Sequence, residues 1–384
     1  MEEARTLGER FRTRFGANPR MHRASGRVNL IGDHTDYNDG YVLPVAIDMY
    51  CWVAIAPRTD RKIVFYSENF KSQHEVDLSK GAPSASGEWS DYPVGVAVML
   101  EDAGCKLAGA EMLIHGEVPL GAGLSSSASV EVATARALLD ISGCTKDPTE
   151  IAKLCQAAEN QFVGARCGIM DQFVACHGDA GSAILLDCRS LEFKKLALPE
   201  HIRLVVIDSM VKHAVAAGEY NQRRTECEEA VKRLKTVLPQ IRALRDVSLK
   251  QVAETRELLG ETLFHRVRHV VTENMRVVEA GEALRRDEMA LFGKLMAESH
   301  ASLRDDFQVS CKELDLLVTL AARQKGVWGA RMTGGGFGGC TVNLVDSRQV
   351  EEFRSGLSQA YEDATGIAPR TYVFGHATVE ANNG

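Results

Sequence analysis

The chain has 384 residues, of which 45% are hydrophobic and 25% are charged. This composition is that of an ordinary globular protein, and the length suits two domains better than one. A formal net charge of −7 argues against nucleic acid as a partner, because such proteins usually carry a basic face. No stretch reaches the roughly 20 apolar residues that cross a bilayer, and the charged N-terminus does not resemble a signal peptide. We therefore predict neither a nucleic-acid partner nor a membrane partner.

The ten cysteines contain no CxxC pair and show no spacing typical of metal ligands. In a chain of this size the pattern indicates reduced, mostly buried thiols. We therefore predict a cytoplasmic protein.

The first half of the chain alternates strand-like and helix-like segments. Residues 1–16 have the pattern of an amphipathic helix. Runs rich in Val, Ile and aromatic residues, interrupted by Gly, Pro and Asp, predict strands at 41–57, 62–69 and 111–118. Apolar residues at helical spacing, closed by Gly143, predict a helix over 129–143. Further elements follow as helices at 147–163 and 168–178 and a strand at 182–187.

The second half is more helical. A strand at 201–209 precedes about a hundred residues of helical pattern, from about Tyr220 to Gln324. A hairpin-like unit at 326–345, a helix at 347–364 and a last strand at 370–376 complete the chain. Because strands and helices mix without regular βαβ alternation, we predict an α+β fold with domains 1–197 and 198–384.

A Gly/Ser loop, residues 119–128, lies between a predicted strand and a predicted helix. Its glycines free the backbone to direct several N–H groups to one point, and the helix N-terminus adds its dipole. These features predict a phosphate site, although a plain turn with serine N-caps fits the local string equally well. It is not a Walker A loop: the only Gly-Lys pair, Gly293-Lys294, lies inside a predicted helix and is followed by Leu295.

A glycine-rich hairpin, residues 332–340, formally contains G-x-G-x-x-G at Gly334, Gly336 and Gly339. A dinucleotide-binding fingerprint opens a helix, whereas this stretch leads into a predicted strand. An ordinary hairpin needs fewer glycines, so we favour a loop that presses against a ligand or against the Gly/Ser loop.

A polar motif, residues 26–37, places Arg27, Asp33, His34, Asp36 and Tyr37 around a short apolar run. Carboxylates beside an imidazole suit a ligand with many hydroxyl groups, and the alternative is a polar turn with local Asx hydrogen bonds. Asp171 is the one acidic residue at the otherwise apolar start of a predicted helix. An aspartate at such a position is usually a helix cap or a surface residue.

These strings together resemble those of the galactokinases. GRVNLIGDHTDYNDGYVLP, VPLGAGLSSSASVEVA, CGIMDQF and RMTGGGFGGC occur in the order and spacing of that family. It belongs to the superfamily of galacto-, homoserine, mevalonate and phosphomevalonate kinases. The resemblance extends to residues 187–193, 218–224 and 300–315 and so covers nearly the whole chain. The polar motif is its most specific part, since the two glycine motifs are shared across the superfamily.

The resemblance implies a two-domain α+β kinase with its active site in the interdomain cleft. It implies transfer of the ATP γ-phosphate to the C1 hydroxyl of galactose, with Arg27 and Asp171 as the catalytic pair. Whether Asp171 removes the proton or mainly orients the hydroxyl stays open, because positioning and charge stabilisation dominate phosphoryl transfer.

The resemblance also assigns the binding residues. The positions that match galactose ligands are Asp33, His34, Asp36, Gly168 and Tyr220. Those that match the ATP site are Gly121, Ala122, Gly123, Leu124, Ser125, Ser126, Ser127, Ala128, Gly335 and Gly336. Ser127 and Glu159 match the Mg²⁺ ligands, and hard oxygen donors suit that ion.

The sequence departs from the family pattern at several positions. Asp33 stands where many galactokinases carry Glu, and Phe307 replaces a frequent Tyr. Two alternatives are a kinase for N-acetylgalactosamine or a related hexose, and a non-catalytic galactose sensor. Sensors of this fold have lost the Ser-Ala step that is present here as Ser127-Ala128. For the oligomeric state we predict a monomer, with a weak homodimer as the alternative.

Overall fold

The computed structural model describes residues 2–212 and 216–375. Over these residues the strands run as follows: β1 Arg20–Asn29, β2 Tyr41–Val42, β3 Pro44–Pro57, β4 Lys62–Ser67, β5 Ser72–Asp77, β6 Ala110–Gly116, β7 Ser182–Asp187, β8 Phe193–Ala197, β9 Ile202–Lys212, β10 Val327–Thr333, β11 Gly338–Asp346 and β12 Arg370–Phe374.

The α-helices of the same residues are α1 Glu2–Phe15, α2 Asp91–Asp102, α3 Ser126–Ser142, α4 Pro148–Ala157, α5 Met170–His177, α6 Ala216–Leu234, α7 Leu249–Glu254, α8 Arg256–Arg285, α9 Met289–Ser302, α10 Lys312–Ala321 and α11 Val350–Thr365. Short 3₁₀ turns lie at Asp36–Asn38, Leu78–Lys80 and Leu244–Asp246, and π-helical turns at Ala158–Val163 and Leu303–Phe307.

The chain divides into two compact units that interleave in sequence. The first contains residues 1–27, 48–120 and 124–178, and the second contains 28–47, 121–123 and 179–384. The second unit includes 28–47 and 179–197 because β2 pairs with β7, and β7 pairs with β8. The units thus differ from a single division after residue 197, and that division stays a prediction.

In the first unit, strand β3 separates two apolar layers. It pairs with β6, which runs parallel to β4, and β4 pairs with β5. Successive side chains of a strand point to opposite faces. Val53 and Ile55 accordingly join the core formed with α2, α3 and α4, whereas Trp52 and Ala54 pack with α1. Both faces of this part of the sheet are therefore covered by helices.

The second unit combines an antiparallel sheet with a helical layer. The sheet order is β10-β11-β9-β12, and α10 and α11 pack on it through residues such as Leu317, Phe353 and Leu357. A separate apolar cluster joins α6, α7 and α8 to the π-helical turn that ends at Phe307. The predicted α+β class and the predicted hairpin of β10 and β11 are confirmed.

One prediction about the cysteines is wrong. Cys105 and Cys144 form a disulfide, with their Cα atoms 6.1 Å apart. The two residues are 39 positions apart in sequence, so no short motif reveals the pair. Cys105 follows α2 and Cys144 follows α3, and the packing of these two helices brings them together.

None of the helices in the described residues is both long and apolar enough to span a bilayer.

Candidate functional site

Residues 28–37 of the polar motif, and the residues that follow up to Tyr41, are held within the second unit by hydrogen bonds. The Thr333 hydroxyl accepts from the Asn29 amide at 3.2 Å and donates to the Asn29 carbonyl at 2.8 Å. Glu273 on α8 accepts from the Gly32 amide at 2.9 Å, and Asn274 accepts from the Tyr41 amide at 2.8 Å. The long helix α8 and strand β10 therefore set the path of this loop.

Asp33 is buried in the polar motif and is held by the glycine-rich hairpin. Its Oδ2 lies 2.5 Å from Nη2 of Arg331, and its Oδ1 accepts from the Gly334 amide at 3.1 Å. Arg331 is fully buried and also donates to the Leu30 carbonyl at 3.1 Å. This pair connects the polar motif directly to the hairpin.

His34 lies in an aromatic environment in the second unit. Its ring centroid is 4.8 Å from that of Phe307 and 5.3 Å from that of Tyr220, and its Nδ1 is 2.9 Å from the Tyr37 hydroxyl. Burial, reinforced by the nearby His269, lowers the pKa of His34 to about 3. His34 is therefore neutral at physiological pH and carries one donor and one acceptor nitrogen.

The remaining predicted sugar residues lie on three different elements. Asp36 begins the 3₁₀ turn of the polar motif and is half-buried. Tyr220 lies on α6 in the second unit, and Gly168 is a buried residue just before α5 in the first unit. The second unit thus brings Asp33, His34 and Asp36 of the polar motif close to Tyr220 of α6, while Gly168 belongs to the other unit.

The glycine-rich hairpin lies against the start of the Gly/Ser loop in the second unit. A Cβ built on Gly334 would be 3.1 Å from the Gly123 carbonyl oxygen, and one on Gly335 would be 3.3 Å from the Tyr220 ring. Gly336 has φ of +82°, and a Cβ there would be 2.2 Å from the Val309 carbonyl oxygen. The expectation that this stretch presses against the Gly/Ser loop is confirmed.

The Gly/Ser loop leads into the N-terminus of α3. Ser125, the residue before the helix, adopts the left-handed conformation with φ of +63°, which is uncommon for a residue with a side chain. Ser126 and Ser127 begin the helix, whose first amide groups have no intrahelical partners. The N-terminus of the helix and its serines offer N–H groups and hydroxyls suited to an anion.

Arg27 and Asp171 form a bidentate ion pair in the first unit. Nε and Nη2 of Arg27 each donate to a different Asp171 oxygen at 2.8 Å, and the Ser125 hydroxyl donates to Oδ2 at 2.5 Å. Arg27 is buried, whereas a quarter of the Asp171 side chain is exposed. Three hydrogen bonds therefore fix the orientation of a carboxylate that solvent still reaches.

Glu159 lies near this pair, in the π-helical turn after α4. Burial, and after it the charge of Asp171, raises the pKa of Glu159 to about 7, against the opposing effect of hydrogen bonds from Cys167, Ser127 and Gln172. The described residues contain no cluster of three or more His, Cys, Asp or Glu side chains able to hold a metal. A cation held by Ser127 and Glu159 would need its other ligands from phosphate or water, and their hard oxygen atoms fit Mg²⁺ in that role.

Three polar residues that contact predicted site residues or their partners are not themselves among the predicted site residues. Arg331 is a charged residue in an otherwise apolar strand, and Glu131 is a charged residue on the apolar face of α3. Both are completely buried. Gln172 follows Asp171 directly and contacts Glu159. In each case the signal was a polar residue at a position where the pattern predicts an apolar one.

Family models match three parts of the chain. Residues 91–179 match the GHMP kinases N terminal domain, and residues 281–363 match the GHMP kinases C terminal model. Residues 9–57, which include the polar motif, match the galactokinase galactose-binding signature. A mevalonate kinase structure from Methanococcus jannaschii shares the fold, with a TM-score of 0.65 and 18% identity over 93% of this chain and 98% of that one. The class is thus that of the GHMP kinases.

Relatives with higher identity narrow the class. The galactokinase of Roseiflexus sp. (strain RS-1) is 49% identical over 96% of this chain and 94% of the relative. That of Chloroflexus aggregans is 47% identical over 95% and 94%. The crystal structure of Lactococcus lactis galactokinase complexed with galactose has a TM-score of 0.92 and 39% identity over 96% of this chain and 97% of that one. The chain belongs to the galactokinase family of ATP-dependent sugar kinases.

Proposed function

We propose that the chain transfers the γ-phosphate of ATP to the C1 hydroxyl of α-D-galactose, giving galactose 1-phosphate and ADP in the first committed step of galactose catabolism. The observation that carries this proposal is the match of residues 9–57 to the galactose-binding signature, in a chain that also has the Arg27–Asp171 ion pair. The retained pair and the retained Ser127-Ala128 step favour an enzyme over a sugar sensor.

In this proposal Asp171 accepts the hydrogen bond of the C1 hydroxyl and directs its oxygen towards the γ-phosphorus. The bidentate contact with Arg27 and the contact with Ser125 support the role, since they hold the carboxylate in one orientation. Arg27 also places a fixed positive charge next to the negatively charged γ-phosphoryl group during its transfer. Positioning and charge stabilisation are the main contributions to catalysis of phosphoryl transfer.

The ATP phosphates bind the loop from Gly121 to Ala128, with Gly335 and Gly336 supporting it. The close approach of Gly334 to Gly123 explains why glycine is needed on both sides. Ser127 and Glu159 hold Mg²⁺, which when bound neutralises phosphate charge. The hydrogen bond between Ser127 and Glu159 supports this role, because it places two hard oxygen donors side by side.

Asp33, His34, Asp36, Gly168 and Tyr220 hold the sugar. The carboxylate of Asp33 is already engaged by Arg331 and Gly334, yet each carboxylate oxygen has two lone pairs and can accept a further hydrogen bond from a hydroxyl. The neutral imidazole of His34 can donate to or accept from a hydroxyl. We place the protein in the cytoplasm as a monomer.

A panel of sugars tests the proposed function. We expect kcat/KM to be highest for galactose and lower by about a hundredfold or more for its C4 epimer glucose, because a site that hydrogen-bonds a hydroxyl rejects a sugar that places this hydroxyl elsewhere. Talose and 2-deoxygalactose, which differ from galactose only at C2, measure how far the site recognises that position. ADP release is measured with a coupled assay for each sugar, including N-acetylgalactosamine. A higher kcat/KM for N-acetylgalactosamine would assign the chain to that sugar instead, and no ADP release with any sugar would favour a sensor.

The Mg²⁺ requirement should depend on pH. A pKa of about 7 for Glu159 means that a proton competes with the cation below that pH, since only the carboxylate is a ligand. We expect the apparent activation constant for Mg²⁺ to rise about tenfold for each unit that the pH falls below 7, and to level off above about pH 8. The association of Mg²⁺ with ATP in buffer is measured in parallel and subtracted. Glu159→Gln should bind Mg²⁺ weakly at every pH, and the same pH step in that variant would contradict the assignment.

A further inference from the structure

Two completely buried polar side chains of the first unit, Glu131 and Gln172, form a chain of hydrogen bonds that ends at Glu159. Gln172 on α5 donates from its Nε2 to Oε2 of Glu159 at 2.6 Å and to Oε2 of Glu131 at 2.9 Å. Glu131 and Gln172 are both 0% exposed. A single amide nitrogen thus bridges two carboxylates and uses both of its hydrogens.

The chemistry of the neighbours fixes the orientation of this amide. A carboxylate can only accept from an amide N–H. Turning the amide over would place its oxygen against the carboxylate of Glu159, so the nitrogen faces Glu159 and its second hydrogen is directed at Oε2 of Glu131. The Gln172 Oε1 is buried without a hydrogen-bond partner among the described residues, so nothing favours the reversed orientation. Glu131 therefore holds the amide in this orientation by accepting its second hydrogen.

The burial of Glu131 is costly for folding. Its charged neighbours are the acidic residues Glu159 and Asp171, and one of its own oxygen atoms, Oε1, has no hydrogen-bond partner among the described residues. An apolar residue would pack at this position without the desolvation cost of a carboxyl group. Because such a group does not stabilise the fold, we expect it to have another role, such as positioning a neighbouring functional side chain.

The position of Glu131 on α3 indicates which group that is. Ser127 and Glu131 are four residues apart and so lie on one face of the helix. Ser127 hydrogen-bonds to Glu159 directly, and Glu131 reaches the same carboxylate through Gln172. The carboxylate of Glu159 is thereby held from two points of the same helix face.

We propose that Glu131 and Gln172 are positioning residues for the divalent cation of the phosphoryl-transfer reaction: Glu131 orients the Gln172 amide, and this amide holds the Glu159 carboxylate in the direction that binds the cation. The proposal rests on the proposed function of Ser127 and Glu159. Partners of this kind behind a metal ligand typically contribute 10- to 100-fold to metal affinity or activity.

The test measures Mn²⁺ binding by electron paramagnetic resonance in the presence of a non-hydrolysable ATP analogue, in parallel with thermal unfolding without metal or nucleotide. We expect Glu131→Met and Gln172→Met to weaken Mn²⁺ binding about 10- to 100-fold and to leave the KM for galactose within about threefold. Glu131→Gln should restore affinity to within about threefold, because its amide oxygen also accepts from Gln172. If either methionine variant does not fold, Gln172→Asn replaces it and should weaken binding about tenfold.

The matched control is Thr134→Val, which changes another completely buried polar residue of α3 and should leave Mn²⁺ affinity unchanged. Methionine variants that unfold at lower temperature but bind Mn²⁺ like the wild type would overturn the proposal, because these results would show that the two residues have a purely structural role. ADP release by the wild type with galactose is measured on the same preparation. Its absence would overturn the proposed function, whereas wild-type activity with unchanged variants would overturn only the positioning role.

Discussion

Asp171→Asn is expected to lower kcat about a thousandfold while the chain stays folded. The asparagine keeps the size of the side chain but cannot accept a proton or carry the negative charge that orients the C1 hydroxyl, and loss of such a group typically costs 10²- to 10⁴-fold. The KM values for galactose and ATP should change much less, because the interaction is made mainly in the transition state. Steady-state kinetics with circular dichroism as a folding check measures both.

A surface ion pair of the same kind supplies the control for this variant. Asp140 pairs with Arg20 at 2.9 Å, and both side chains are more than a third exposed. Asp140→Asn should therefore leave kcat within about twofold, as expected for an exposed pair. An Asp171→Asn enzyme that retains more than a tenth of the wild-type kcat would contradict the role given to Asp171.

Arg331→Met is expected to lower the free energy of unfolding by about 4 kcal/mol. The substitution leaves the carboxylate of Asp33 buried without its cation and the Leu30 carbonyl without its donor. Breaking a buried pair by removing one partner typically costs 3 to 5 kcal/mol. Urea denaturation followed by fluorescence and circular dichroism measures the change. Combining Arg331→Met with Asp33→Asn should recover part of the loss, because the unpaired charge is then removed.

The control for Arg331 is an exposed arginine with a similar partner. Arg348 pairs with Asp346 at 2.8 Å, but its side chain is 83% exposed, so Arg348→Met should cost less than about 1 kcal/mol. Equal stability losses in the two arginine variants would contradict the structural role of the buried pair. A stability loss in Arg331→Met without recovery in the double variant would show that the loss comes from packing rather than from the charge of Asp33.

The sequence predicts the elements of this fold well where local patterns decide them. The helix over 129–143 closed by Gly143, the strand over 182–187 and the hairpin after residue 326 all appear, with bounds within a few residues. The helix predicted over 147–163 is less regular, since α4 ends at Ala157 and a π-helical turn continues to Val163. That turn carries Glu159, and hydrophobic periodicity does not distinguish a π-turn from an α-helix.

Contacts between distant parts of the chain cannot be predicted from local sequence patterns. The pairing of β2 with β7 assigns residues 28–47 to the second unit, and no local pattern reveals a pairing between segments about 145 residues apart. The bonds of Asp33 to Arg331 and of Gln172 to Glu131 are likewise set by tertiary packing. The motifs predict candidate site residues, whereas the partners that hold these side chains in place are visible only in the structure.

The most direct test of the proposed function is to identify the product. The purified chain is incubated with ATP, Mg²⁺ and galactose, and the reaction is followed by ³¹P nuclear magnetic resonance with proton coupling. We predict one ADP for each new sugar phosphate, whose phosphorus couples to the anomeric proton of galactose. A phosphate carried on any other hydroxyl, or ADP formed without a sugar phosphate, would contradict this prediction.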